Sequence, residues 1–387
     1  MRHDCFELEA LDPGSQARAG WLTDRNGKRL PTPLFQPVAT SASLKTLDWA
    51  DLEKIGYRHV LMNTYHLVVD PGTEPIRAAG GVKQWSGWRG SVLTDSGGYQ
   101  AFSLAARRSL KPGGVEFTDH LHGGRHLFSP EFTLTAQLNL GVDFVMPIDV
   151  CTGLPAERKR VIKDMRFTHD WLAQQVRLWP ELAGRLALPA DNQPVLFGIA
   201  QGGLEEDLRE QSIQLVSESG VDSIAIGGLA VGEPREDFLR LTEFCGQRLP
   251  ADKVHYLMGV GEPADLVFAV AMGFDMFDCV QPTRMARHGS AYTRHGRLQI
   301  KNSRFRDDNR PLDPQCRCQV CRRYSRSYIN HLQRTGEHTA ARLLTWHNLA
   351  FYRDLMKRLR RLIVNGTFGK RWQRLYRDLN GRLPEDL

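Results

Sequence analysis

Short apolar runs recur along the chain, each followed by a stretch with helical spacing. The runs are "LFQPVAT" (34–40), "HVLMNTY" (59–65), "SVLTDSGG" (91–98), "FVMPIDV" (144–150), "VLFGIAQGG" (195–203), "SIAIGGLA" (223–230), "HYLMGVG" (255–261) and "FDMFDCV" (274–280). Near-continuous apolar runs rich in Val, Ile and Phe are the mark of parallel strands buried on both faces. The intervening segments 44–56, 130–141, 155–179, 205–219, 235–248 and 262–272 read as helices. In "GEPADLVFAVAMG", for example, Ala264, Val267, Phe268 and Ala271 share one face. Eight strand–helix units predict an α/β fold, a closed (β/α)8 TIM barrel rather than a doubly wound sheet.

Two stretches interrupt the rhythm. Residues 99–130 are long and Gly-rich ("KPGGVEF", "HGGRH"), which predicts a hairpin or lid at the barrel mouth. Residues 285–335 carry a cysteine cluster before helical spacing returns at about 338–361. The expected division is therefore a barrel over 1–284, a basic zinc-binding insertion over 285–335, and the last barrel helix with a C-terminal tail over 336–387. The tail, 362–387, reads as a short basic helix with a frayed end.

Composition narrows the class. The chain has 387 residues, 41% hydrophobic and 25% charged, ordinary for a globular protein. No run approaches the roughly 18 apolar residues of a membrane helix. The start, "MRHDCFELEA", lacks the apolar core of a secretory signal, so a cytoplasmic location is expected. The net charge of +7 is unevenly spread. From Arg284 onward there are 24 Lys+Arg and 8 Asp+Glu, whereas residues 1–283 hold 27 basic and 36 acidic residues. A C-terminal part so basic suits a polyanion, most simply nucleic acid, against the plainer reading of a solubilising surface.

Seven cysteines, an odd number, argue against a disulfide framework. Cys316, Cys318 and Cys321 form C-x-C-x2-C, a spacing that strains a disulfide but lets thiolates wrap one tetrahedral ion. A fourth ligand is needed. His347, in "LLTWHNLAFY" on a predicted helix, is preferred over His331 and His338, because a packed helix holds an imidazole rigidly. A closed Cys3His set implies a structural Zn2+, one per chain. Reduced surface thiols and a core histidine are the plainer readings.

In a barrel of this kind chemistry gathers at the C-terminal strand ends. Those ends here are Asp95, Asp149, Gln201, Gly227–Gly228, Met258 and Asp278. Three apolar strands ending in carboxylates could hold a metal, but no histidine accompanies them. The other use is a nucleophile paired with an acid/base across the anomeric carbon of a sugar. Helix capping explains any single Asp, Asp95 before Ser-Gly-Gly above all, but explains three together poorly. Tyr99 and Met258 could sandwich a flat heterocycle, or belong to the core.

"NTYHL", "LTDSGGYQ", "FGIAQGG", "GGLAVGE", "YLMGVG", "FDMFDCV" with "PTR", "HGRL", and "RPLDP" with three cysteines and a later histidine strongly resemble the bacterial queuine tRNA-ribosyltransferases, or tRNA-guanine transglycosylases. The resemblance runs from about residue 5 to 375. It implies a pentosyltransferase that exchanges the wobble guanine of G-U-N anticodon tRNAs (Asp, Asn, His, Tyr) for a 7-deazaguanine base in queuosine biosynthesis. By the matching motifs Asp278 is the nucleophile and Asp95 the general acid/base. Asp149, Gln201 and Gly228 read the base edge, and Leu229 reads the 7-substituent through its carbonyl. Tyr99 and Met258 stack on the base, Arg284 and Arg287 contact the anticodon loop, and Cys316, Cys318, Cys321 and His347 hold zinc. The family suggests a homodimer near the zinc region.

The sequence departs from the family pattern at Val150, Gly153 and Ala200, near the expected base pocket. Val231 matches the form that favours preQ1, since queuine users tend to carry Gly there. Queuine salvage by the same reaction is the alternative. Rivals of other classes are a non-catalytic tRNA-binding homologue, against which both Asp95 and Asp278 speak, and a barrel glycoside hydrolase, against which the basic C-terminal third speaks.

Overall fold

The computed structural model describes residues 5–99, 108–185 and 192–379. It opens with a three-stranded antiparallel sheet of β1 (Phe6–Leu11), β2 (Arg18–Thr23) and β3 (Arg29–Thr32). Next come β4 (Leu34–Ala39), β5 (His59–Met62) and β6 (Ser91–Thr94). A second antiparallel sheet follows, of β7 (Arg108–Lys111), β8 (Gly114–Thr118) and β9 (Arg125–Phe128). The parallel series resumes with β10 (Phe144–Val145), β11 (Val195–Ala200), β12 (Ser223–Ile226), β13 (His255–Leu257) and β14 (Met276–Cys279). A hairpin of β15 (Ser290–Thr293) and β16 (Gly296–Gln299) completes the strands.

The strands β4, β5, β6, β10, β11, β12, β13 and β14 pair in parallel in that order, and β14 closes onto β4. All eight apolar runs are barrel strands, though "FVMPIDV" pairs only through Phe144 and Val145. Each run is apolar throughout because both faces are covered. Val195, Phe197 and Ile199 point into the lumen with Leu34, Leu61, Leu93, Tyr256 and Met276. The alternate residues Leu196, Ala200, Ile224, Ile226 and Phe277 pack against the helices.

The helices that cover the barrel include Pro130–Leu140, Arg158–Arg185, Glu206–Glu218, Arg235–Gly246 and Pro263–Ala271. The first of these shows how the sequence sets its ends. Ser129 caps it by accepting from Phe132 N at 3.1 Å, Pro130 opens the first turn, and Gly141 ends it in the left-handed region at φ 69°. The long helix His338–Val364 takes the eighth place, as the periodicity of 338–361 predicts.

Before that helix the chain makes the β15–β16 hairpin and two short helices, Gln319–Arg323 and Arg326–Thr335. Of the stretch expected to form a lid, residues 108–128 are the β7–β9 sheet, and 100–107 lie outside the described residues. In the tail, Trp372–Asp378 is helical, and 380–387 lie outside the described residues.

Two features have no counterpart in the periodicity. Three short helices, Thr64–Val69, Thr73–Ala78 and Val82–Ser86, connect β5 to β6. The β1–β3 sheet lies across the N-terminal end of the barrel. From it Leu22 and Leu30 join the lumen cluster, as does Cys5 just ahead of β1. Polar clasps fasten the sheet at the strand starts. Arg18 pairs with the buried Asp275 at 2.6 Å, just before β14, and Asn26 Nδ2 donates to Asp143 at 2.8 Å, just before β10.

Candidate functional site

The opposite end of the barrel carries the carboxylates. Asp278 sits on β14 and is partly exposed at the mouth. Its Oδ1 accepts from the hydroxyl of Tyr256 at 2.6 Å and from Gly259 N at 2.9 Å. Among the described residues Oδ2 accepts none, so one oxygen is anchored and the other is left for chemistry. Burial pushes the Asp278 carboxyl up, and the two donors pull it back down. Tyr256 is fully buried on β13; burial above all, then the charge of Asp278 and to a lesser degree that of Asp95, raise its hydroxyl well above the usual value. The two carboxylates therefore act on one buried hydroxyl.

Asp95 follows β6 directly. Its Oδ1 accepts from Thr64 N at 2.9 Å and Gly97 N at 3.2 Å, and its Oδ2 from Asn63 Nδ2. The capping reading thus holds in part, because Thr64 opens the helix Thr64–Val69.

Asp149 lies past β10 and accepts from Gln201 Nε2 at 2.7 Å through Oδ2. Burial raises its carboxyl to about 6, Gln201 opposes the shift, and Asp95 adds to it. Asp95, Asp149 and Gln201 therefore belong to one electrostatic cluster. The glycines beside it answer a steric demand. A Cβ on Gly227 would meet Gln201 Nε2 at 2.4 Å, and one on Gly228 would meet Gln201 Oε1 at 2.5 Å. Gly228 also has φ +68°, in the left-handed region.

One residue of this cluster was missed by the sequence reasoning. Arg209, on the helix Glu206–Glu218, has no exposed surface. Its guanidinium donates to the carbonyls of Gly203 at 3.0 Å, Gly227 at 2.6 Å and Gly228 at 3.0 Å. Arg209 thus holds the Gly227–Gly228 backbone by its carbonyls, and the Gly228 N–H lies beside the Cys151 thiol. The Leu229 side chain is buried in the helix-facing core. Arg209 carries no motif; its only signal is a basic residue on the apolar side of a helix. Tyr256 was findable, since a tyrosine inside an apolar strand needs a partner for its hydroxyl.

Met258 is half-buried against the lumen cluster, and Tyr99 is 53% exposed at the mouth. Arg284 and Arg287 lie on the helix Gln281–Arg287, directly after β14. Arg287 Nη1 is buried without a hydrogen-bond partner among the described residues, an orphan donor for an incoming acceptor. Two of the three departures expected near the pocket, Val150 and Ala200, point elsewhere. Val150 is buried among Phe117, Phe128 and Trp171, beneath the β7–β9 sheet, and Ala200 faces the helices.

A second site lies in the segment before the last helix. Sγ of Cys316, Cys318 and Cys321 and a ring nitrogen of His347 lie within 4.8 Å of one another. His347 is fully buried. Its Nε2 lies 2.8 Å from Tyr292 O, the geometry of an N–H donor. Nδ1 then keeps its lone pair toward Cys321 Sγ at 3.3 Å and Cys318 Sγ at 3.7 Å. A backbone carbonyl that fixes the tautomer of a ligating histidine is the usual support of a metal site. Three thiol sulfurs and one imidazole nitrogen make a closed tetrahedral donor set that fits a metal ion.

A family model described as queuine tRNA-ribosyltransferase matches residues 12–380. Several bacterial proteins of that name are similar over almost their full length. That of Janthinobacterium sp. (strain Marseille) is 44% identical over 368 residues, 94% of this chain and 96% of the relative. That of Nitrosospira multiformis is 45% identical over 363 residues, again 94% and 96%. The protein of Herminiimonas arsenicoxydans is 44% identical over 368 residues. With a closed eight-stranded barrel, acidic strand ends and a Cys3His cluster already in place, the chain belongs to the queuine tRNA-ribosyltransferase family.

Proposed function

We propose that this protein is a tRNA-guanine transglycosylase. It exchanges the wobble guanine of G-U-N anticodon tRNAs for a 7-deazaguanine, preQ1, through a covalent ribosyl–Asp278 intermediate. The observation that carries the reading is the grouping of Asp95, Asp149 and Asp278 at one barrel mouth, where Asp278 keeps one oxygen unengaged. A base inside a stacked helix cannot reach such a mouth, whereas a splayed anticodon-loop base can.

In the first step Oδ2 of Asp278 attacks C1′ of the ribose and the bond from C1′ to guanine N9 breaks. Asp95 delivers a proton to the departing base. The incoming base gives its N9 proton to Asp95 and attacks C1′, and Asp278 leaves with its electron pair. The phosphodiester chain stays intact because the sugar remains bonded to the enzyme between the two steps. Asp149, Gln201 and the backbone of Gly228 would read the guanine edge. Met258 and Tyr99 offer surfaces for stacking, and Arg284 and Arg287 offer charge to the loop phosphates.

The choice of preQ1 rests on Val231, a branched side chain two residues past Leu229, where the family resemblance expects glycine in queuine users. Zinc is proposed for Cys316, Cys318, Cys321 and His347; it would supply no reactive position, only a fixed fold for the basic segment around it. A homodimer is proposed at that segment, where Tyr328 is 44% exposed and stacks on Tyr324.

Replacing Asp278 by Asn tests the chemistry. The variant is expected to lose the denaturation-stable protein–tRNA adduct and at least about 10³-fold in labelled-guanine exchange. In the same assay preQ1 should displace label ahead of queuine. An adduct of undiminished yield in the Asn variant would remove Asp278 from its role.

A further inference from the structure

Positive charge collects in a second place, a cleft of ≈ 890 Å³ none of whose lining residues belongs to the barrel mouth. Its walls are the C-terminal half of the helix His338–Val364, the β15–β16 turn and the helix Trp372–Asp378. Arg294, Lys357, Arg358, Arg361 and Arg371 line it. Other arginines of the long helix are committed, Arg353 to Asp354 and Arg360 to Glu9. The side chains of Lys357, Arg358, Arg361 and Arg371 make no hydrogen bond or ion pair among the described residues. Arg294 gives only Nη1 to Gln315 Oε1, at 3.2 Å.

Two carboxylates line the cleft. Asp354 is engaged by Arg353, and Asp378 acts on Arg358 from a distance. Arg358 is half-buried, and burial followed by the charge of Arg294 pushes its guanidinium down. Gathering like charges in this way is unfavourable until an anion enters. The charge also continues. Lys357 lines an adjoining hollow with Lys28, Arg58 and Arg360, toward the sealed end of the barrel. A band of this length matches a chain of phosphates better than one ion.

We propose that this band binds the sugar–phosphate backbone of the RNA substrate outside the anticodon stem–loop, so that the protein grips a whole tRNA at two places. The proposal rests on the tRNA reading above and adds a site remote from the chemistry.

The test compares one protein on two RNAs, a full-length tRNA and its isolated anticodon stem–loop. In a variant carrying Arg358→Gln, Arg361→Gln and Arg371→Gln, affinity for the full tRNA should fall about tenfold or more. The slope of log affinity against log salt should become shallower by roughly 2 to 3. Binding and guanine exchange with the stem–loop should stay at the wild-type level. A double variant, Arg361→Gln with Arg371→Gln, changes only exposed side chains and should show the same length-dependent loss in smaller measure.

Unchanged affinity for the full tRNA overturns the proposal, as does an equal loss on both RNAs. A third arm uses inorganic phosphate. If millimolar phosphate raises the melting temperature of the wild type but not of the triple variant, and tRNA affinity is the same in both, the cleft takes a free anion and the proposal fails. Absence of guanine exchange by the wild type on either RNA would instead sink the transglycosylase reading, and would leave the length-dependent difference in binding intact.

Discussion

At the scale of single residues, the site works by spending hydrogen bonds on some atoms so that others stay available. Tyr256 and Gly259 take one oxygen of Asp278, and Arg209 takes the carbonyls of Gly227 and Gly228. On the proposed reading Arg209 would touch no substrate; it would position the backbone that does. Arg209→Lys keeps the charge but loses the three-way fork. It is expected to raise KM for the free base about tenfold or more while kcat changes little, since one or two lost hydrogen bonds to a charged donor each carry roughly 1.5 to 3 kcal/mol. An equal fall in kcat would show that Arg209 supports the fold alone.

Asp149 sets a pH dependence. Its carboxyl is raised to about 6 by burial, with Asp95 adding to the shift. Below that pH it is protonated and loses an acceptor for the donors on the guanine edge. Guanine affinity should therefore rise as pH climbs through about 6 and then level off, and Asp149→Asn should flatten the profile. Titration calorimetry across that range would read the step. Stability moves the opposite way. The folded state holds more protons than the unfolded chain between about pH 4 and 6, so stability falls as pH rises through that window.

At the scale of elements, the strands were legible because both of their faces are buried, which writes itself as an unbroken apolar run. The helix Pro130–Leu140 was legible from its Ser-Pro start and Gly end. The three short helices between β5 and β6 were not, because segments of five or six residues are too short to express a period. Nor was the β1–β3 sheet. Its edge strands carry little apolar signal, since β3 alternates exposed and buried positions and β1 has no fully buried position, so little distinguishes them from a loop.

The cysteine spacing gave the sulfur ligands directly, while His347 needed the helix that carries it. Chelation is expected to remove one zinc per chain and to expose residues 300–350 to hydrogen exchange before the barrel. The segment's buried apolar residues, among them Phe305, Leu312, Val320 and Ile329, join the main core rather than forming one of their own, and ligand bonds would contribute much of its order. Metal analysis of folded protein that finds no zinc would contradict this.

At the scale of the molecule, the charge map read from sequence was right in sign and coarse in place. It marked everything after Arg284 as basic. It did not separate the arginines beside Asp278 from those spent on ion pairs with Asp51, Asp308 and Glu9, or from the set on the long helix that is unpaired among the described residues. That separation needs the fold, because residues as distant in sequence as Arg294 and Arg371 meet only when the hairpin packs beside the last helix. The roles of Val150 and Ala200 needed it for the same reason. Adjacency in sequence to a pocket residue says nothing about which way a side chain turns when the strand alternates.

The antiparallel sheet covers the end of the ring away from the carboxylates. On the proposed chemistry a base therefore leaves by the mouth through which its replacement arrives. Guanine would depart before its successor docks, while the RNA waits tethered to the protein. Turnover on the proposed chemistry is thus a strict alternation of guests, and a surplus of the outgoing one should simply run the cycle in place.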